Sequence, residues 1–173
     1  THIGAIALCG LDPVYQRKAV SQITGYLPEN NPLYGDMKVR EYLNFVANLK
    51  AVGEYDSLVR TVGVRDVLGS KIETLSRGYR QRVGLIAAMM GEPDLLILDE
   101  PTSGLDPIEQ EKIREVIKKS SKKCSVIFST HILSEVEDIA SRIIILHKGK
   151  IVFDGKKPKG KGSVEKLFKK VVK

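Results

Sequence analysis

The 173-residue sequence predicts an α/β fold built around a parallel sheet with flanking helices, and three observations carry that expectation. Leu95-Leu96-Ile97-Leu98 is a short run, apolar on both faces, that ends in Asp99 and Glu100, as a strand buried inside a parallel sheet does. From residue 95 to 146, apolar runs alternate with segments of helical period, giving strand, helix, strand, helix, strand, a doubly wound layer. The acids at 99 and 100 stand at the carboxyl end of a strand, where such sheets carry function.

In chain order, residues 1–28 mix short apolar stretches, such as residues 3–8, with turn residues. Val39, Leu43, Val46 and Ala47 fall at helical spacing, so residues 37–51 read as an amphipathic helix. A second short helix is expected at 55–62 within a polar stretch. Ser76 reads as the N-cap of a helix running to Met90, closed by Gly91 and stopped by Pro93. After the strand at 95–98, Asp106-Pro107 is an N-cap and first-turn pair, and Ile113, Val116 and Ile117 lie on one face of the helix that follows. Residues 125–128 make the next strand, and Ile132, Val136, Ile139 and Ala140 mark another helix. Residues 143–146 and 151–153 flank His147-Lys148-Gly149-Lys150, a hairpin signal.

Composition removes several function classes. Aromatic residues make up 6% and Trp is missing, which disfavours a stacking platform for bases. The longest aliphatic runs are four residues, against the roughly 20 a membrane helix needs. No basic-then-apolar signal segment opens the chain, which begins at Thr1 rather than Met, as an excerpt of a longer protein would. The net charge of +7 comes entirely from residues 156–173, which hold eight Lys against Glu165; residues 1–155 balance. A solvated basic tail is the plain reading of that segment, and acidic lipid or nucleic acid the alternative. Cys9 and Cys124 form no C-x-x-C and read as free thiols of a reducing compartment.

The chemistry concentrates after residue 75. Asp99 suits Mg²⁺, directly or through water, because that hard ion prefers oxygen ligands and keeps several waters. Glu100 is suited to orient or deprotonate an attacking water. For the isolated pattern of two acids, a capped strand end is the alternative, and the residues that follow weigh against it. Ser76 and the N–H groups from Arg77 to Tyr79 open a helix, which favours an anion through dipole and unpaired donors.

Together these stretches resemble the ATP-binding-cassette (ABC) ATPases. Leu95 through Pro107, including Pro101-Thr102-Ser103-Gly104-Leu105-Asp106, resembles Walker B plus the D-loop. Leu75-Ser76-Arg77-Gly78-Tyr79-Arg80-Gln81-Arg82-Val83 resembles the signature motif, usually LSGGQ, and Ser129-Thr130-His131 the H-switch. Gly25-Tyr26-Leu27-Pro28-Glu29, with Leu33-Tyr34, resembles the Q-loop; residues 37–42 continue in the manner of multidrug, ion and gliding-type exporters. The resemblance covers roughly residues 3–155. It implies a P-loop NTPase-like parallel sheet with a helical signature subdomain at about 30–92 and a Walker B, D-loop and H-switch core at 93–155.

It also implies ATP and Mg²⁺ as cofactors, with Glu100 and His131 catalytic and Asp99 holding Mg²⁺. Ser76, Arg77, Gly78 and Tyr79 would bind the nucleotide held by the other subunit of a dimer, while Ser103 and Asp106 communicate across it. Glu29 would sense Mg²⁺ and water. The implied partners are a second ATPase subunit and a transmembrane permease received by residues 29–42, with no nucleic acid; the implied place is peripheral, at the cytoplasmic face of the membrane.

Three features depart from the family pattern. Glu29 stands where Gln is usual, and adds a charge. Arg77 replaces the first signature glycine, and Tyr79 stands where Gln is usual. A P-loop, G-x-x-x-x-G-K-[ST], belongs upstream of the Q-loop, yet none of the 28 residues before Glu29 fits it, and residues 1–7 resemble the point just after the P-loop helix. Residues 155–163 give G-x-x-x-x-G-K with Ser one place late, between a strand and a possible helix at 164–171. An enzyme fragment inactive by itself is the leading expectation. A P-loop-less module that pairs with an intact ATPase, and a binder of nucleic acid through the basic tail, are the alternatives. Without its P-loop strand, a doubly wound sheet is expected to expose an edge.

Overall fold

The computed structural model describes residues 4–172; Ile3 and Lys173 lie outside the described residues. In chain order the elements are α1 (Arg17–Ile23), β1 (Thr24–Leu27), α2 (Val39–Leu49), α3 (Asp56–Val62), α4 (Arg77–Met89), β2 (Leu95–Asp99), α5 (Pro107–Ser120), β3 (Ser125–Ser129), α6 (Leu133–Ile139), β4 (Arg142–His147), β5 (Lys150–Lys156) and α7 (Ser163–Val171). They fall into two compact units, residues 1–129 and 130–173.

In the first unit β1, β2 and β3 form a parallel sheet in chain order. Leu27, Leu96 and Leu98 are buried on one face, each such side chain contributing about 1.5–3 kcal/mol when fully covered. Gly25 lets α4 close onto that face: a Cβ there would sit 2.1 Å from the Ala88 carbonyl oxygen. The other face carries the row Tyr26, Ile97 and Ile127, aligned by register. Tyr26 is 56% and Ile127 58% exposed, unlike a parallel sheet covered on both faces.

Between β1 and β2 runs the helical subdomain. The α2 helix buries Val39, Leu43 and Ala47, and its first turn is closed by the Glu41 carboxylate, which accepts from the Lys38 N–H at 2.9 Å. The α3 helix stops at Gly63, whose φ of +74° a side chain would resist. The α4 helix begins at the expected Ser76 cap and is buried along most of its length. The turn after it uses Gly91 at φ +83°.

Two expectations are corrected. Residues 143–146 do not extend the parallel sheet: β4 pairs antiparallel with β5 in a separate two-stranded sheet, joined by the expected hairpin. The third parallel strand is instead β1, with α1 before it, from a stretch whose periodicity is too short to announce either. In the second unit, the lysine-rich residues contain the end of β5 and all of α7. Val164 and Leu167 of α7 pack with Ile143, Ile145 and Val136, while Lys166, Lys169 and Lys170 stay exposed.

Candidate functional site

Parallel register levels the carboxyl ends of the three strands. Leu27, Leu98 and Phe128 stand side by side, and Asp99 is opposite Ser129. Glu29 follows two residues after the end of β1, and Glu100 follows directly after β2. Ser129 Oγ donates to Asp99 Oδ1 at 2.5 Å and accepts from the Glu100 N–H at 3.0 Å. Glu100 has a φ of +46°, a left-handed conformation that costs a non-glycine residue about 1–2 kcal/mol. Its carbonyl accepts from the Ser103 N–H at 3.1 Å, which starts the turn leading through Thr102, only 1% exposed, to Asp106. Asp106 Oδ1 accepts from the N–H groups of Ile108 and Glu109, both at 3.0 Å, capping α5 as expected.

An ion that keeps several waters and shares phosphate oxygens suits one oriented carboxylate better than a protein cage. Asp99, held by a hydroxyl, is such a carboxylate, and among the described residues no group of three or more His, Cys, Asp or Glu forms a cage. The residues here fit Mg²⁺ at Asp99. They do not fit the phosphates of ATP in the same way, because neither the sequence ahead of Glu29 nor the tail supplies a cradle.

The tail's near-miss shows why. The predicted strand, loop and helix exist as β5, a turn with Gly160 at φ +104° and Gly162 at φ +73°, and α7. The space at that helix end is taken by the Glu137 carboxylate, which accepts from the Val164 N–H at 3.1 Å. The Gly162 and Val164 amides, and more weakly that of Ser163, hold Glu137 below the usual carboxylate range.

At the signature, Ser76 Oγ accepts from the Tyr79 N–H at 3.3 Å, leaving the Arg77 and Gly78 N–H groups without a partner among the described residues. Gly78 is buried, and the close approach it permits within the chain is to Glu109: an added Cβ would lie 2.9 Å from Oε2. The Arg77 guanidinium lies over Gly104 of the D-loop stretch, 2.6 Å from where a Cβ would stand. The Tyr79 hydroxyl donates to Asp66, which raises the tyrosine pKa ahead of any effect of burial. Over the Tyr79 ring, at 4.2 Å, sits Arg82, 5% exposed, paired with Glu109 at 3.2 Å and donating to the Gly63 carbonyl at 2.7 Å.

His131 is the second residue of the second unit and is exposed. Thr130 Oγ1 donates to the buried Glu135 at 2.9 Å and accepts from the Ile132 N–H at 3.0 Å, shaping the turn that carries His131. Sequence reasoning missed Ser129 and Glu109 as organising groups. Ser129 had a signal, a hydroxyl ending the strand next to the acids; Glu109 had none beyond its place in the first turn of α5.

The fold is that of a P-loop NTPase-like α/β protein with a helical subdomain. The ABC transporter family matches residues 3–103. The ABC transporter ATP-binding protein YhaQ of Bacillus subtilis strain 168 is 41% identical over 144 residues, 79% of this chain and 48% of that protein. The lantibiotic transport ATP-binding protein SrtF of Streptococcus pyogenes is 35% identical over 147 residues, 83% of this chain and 64% of that protein. A solved ATP-binding subunit of an ABC transporter superposes with a TM-score of 0.80 at 27% identity, covering 98% of this chain and 72% of that one. The chain belongs to the ATP-binding subunit family of ABC transporters. It spans about half the length of the curated relatives it matches. No helix among the described residues is long and apolar enough to cross a membrane.

Proposed function

We propose that these residues are the water-activating and signature-bearing part of an ATPase subunit that powers an ABC exporter. Glu100 orients the water that attacks the γ-phosphate, and Asp99 would hold Mg²⁺, directly or through water. Glu29 senses Mg²⁺ and water, His131 contacts the γ-phosphate or the attacking water, and Ser76, Arg77, Gly78 and Tyr79 close the ATP site of a second subunit. Ser103 and Asp106 report across the dimer. The subunit sits on the cytoplasmic face of the membrane, against a permease received by residues 29–42. There Tyr34 stands edge-on to Tyr42 and Phe45, with centroids 6.2 and 5.9 Å away, and Tyr34 and Leu49 are exposed. Such an aromatic and aliphatic patch suits an apolar helix end.

The observation that carries this reading is the Ser129 hydroxyl, which donates to the Asp99 carboxylate and accepts from the Glu100 N–H, so that one side chain of β3 orients the first acid and holds the backbone of the second. In the whole ATP-binding subunit, Glu100→Gln is expected to lower hydrolysis by about 100-fold or more, the usual contribution of a positioned base, while ATP binding persists. Hydrolysis at the wild-type rate would refute the role of Glu100. Residues 1–173 alone are expected to give no heat on titration with Mg-ATP.

A further inference from the structure

We propose that Asn31 is a positioning residue that latches the segment after β1 onto α4, so that a shift of that segment carries Ser76 with it. The half-buried Asn31 carboxamide reaches 49 positions along the chain, where Nδ2 donates to the Arg80 carbonyl at 2.8 Å. That carbonyl has a second lone pair to give beyond its helical bond. Arg80 lies in the first turn of α4, and its own N–H donates to the Ser76 carbonyl at 3.0 Å. The latch is therefore one residue and one hydrogen bond from the signature serine.

Two further features hold the amide in place. Gly84 leaves room for it: an added Cβ would lie 2.2 Å from Asn31 Oδ1, 2.4 Å from Nδ2 and 2.6 Å from Cγ. Asn31 itself adopts a φ of +32°, which Asn tolerates better than most residues. Its N–H donates to the Pro28 carbonyl at 3.1 Å, closing a turn that also contains Glu29. Three residues on, Tyr34 is exposed beside Tyr42 and Phe45. One side of this short segment thus presents a carboxylate and an aromatic ring outward, and its other side grips α4.

This inference rests on the proposed function for what the grip achieves. The test uses the whole ATP-binding subunit assembled with its permease, comparing wild type with Asn31→Ala, Asn31→Asp, Gly84→Ala and the Asn31→Ala/Gly84→Ala pair. KM and kcat for ATP are measured with and without permease, beside thermal unfolding midpoints. Asn31→Asp keeps the shape and loses the donor. With it, KM is expected to hold and permease-stimulated kcat to fall roughly fivefold, the factor one neutral hydrogen bond carries. Gly84→Ala alone is expected to lower the midpoint, and to lower it less in the Asn31→Ala background, where the new methyl group has room. Unchanged stimulation in both Asn31 variants, or midpoint losses that simply add, would overturn the latch. A wild-type assembly without permease-stimulated hydrolysis would instead defeat the proposed function, and the midpoints of the four proteins would still decide the contact.

Discussion

Two helices in this protein begin after a serine or glycine and turn first-turn amides away from the helix, and those amides have opposite fates. The α4 helix starts at Ser76 and keeps its Arg77 and Gly78 N–H groups without a partner among the described residues. The α7 helix follows a loop that spells most of a phosphate-binding pattern, yet the Glu137 carboxylate already sits on its amides. Both ends attract anions for the same physical reason. What separates them is whether the fold supplies its own anion. A motif match therefore says where an anion is welcome, and the surrounding contacts say whether the place is taken.

Paired substitutions sharpen that contrast. Ser76→Ala is expected to lower ATP hydrolysis by the whole subunit about tenfold, through loss of the hydroxyl to which the proposed function gives a phosphate contact and of a helix cap worth about 1 kcal/mol. The counterpart Ser163→Ala, whose hydroxyl donates to the Pro158 carbonyl at 3.0 Å, should leave the rate unchanged. Equal losses in steady-state assays would erase the distinction. Next in size, Gly78→Ala should destabilise the protein by about 1–3 kcal/mol, the usual cost of overpacking, because the methyl group meets Glu109. Gly162→Ala meets nothing within 4 Å and should cost only about 1 kcal/mol, from its left-handed backbone. Denaturant midpoints rank the two.

A smaller effect is expected from acid. Glu137 has a folded pKa below its unfolded value, because the α7 amides donate to its charged form. Its contribution is therefore present above the unfolded value and lost as pH falls through the folded one. Thermal unfolding of the second unit should weaken along that acid limb, and Glu137→Gln should flatten the limb while lowering stability at neutral pH. An unchanged acid limb in the variant would detach Glu137 from α7. Last, Lys161→Ala should leave ATP affinity untouched; a loss of binding in calorimetry would revive the tail as a phosphate cradle.

The helices from α4 to α6 and the hairpin were legible because local chemistry announces them. Ser76, Gly91 and Pro93 punctuate α4, and Asp106-Pro107 opens α5. The β1 strand was not legible, for a reason visible in its packing. Gly25, which weakens any strand signal, is required there because the Ala88 carbonyl occupies the place of a Cβ. Residues 143–146 read correctly as a strand, but alternation does not name a partner, and the hairpin partner outcompeted the parallel sheet. At the candidate site, the acids and the signature helix could be read as a pattern. Ser129 bonding Asp99 from 30 residues away, and Glu109 filling the space beside Gly78, arise only when distant segments meet.

The strand order β1-β2-β3 follows the order of synthesis, which has a consequence for how the sheet is made. Among the described strands each lies outside the one before, so adding β3 to β2 requires no insertion between β1 and β2. The first step is nevertheless slow in coming, because residues 28–94 must leave the ribosome before β2 reaches β1. The α4 helix, which packs on Gly25, ends at Met89, just ahead of Leu95 where β2 begins. The four-residue β1 thus receives its covering helix and its first neighbouring strand from one short stretch of chain, residues 77–99, and waits for both together.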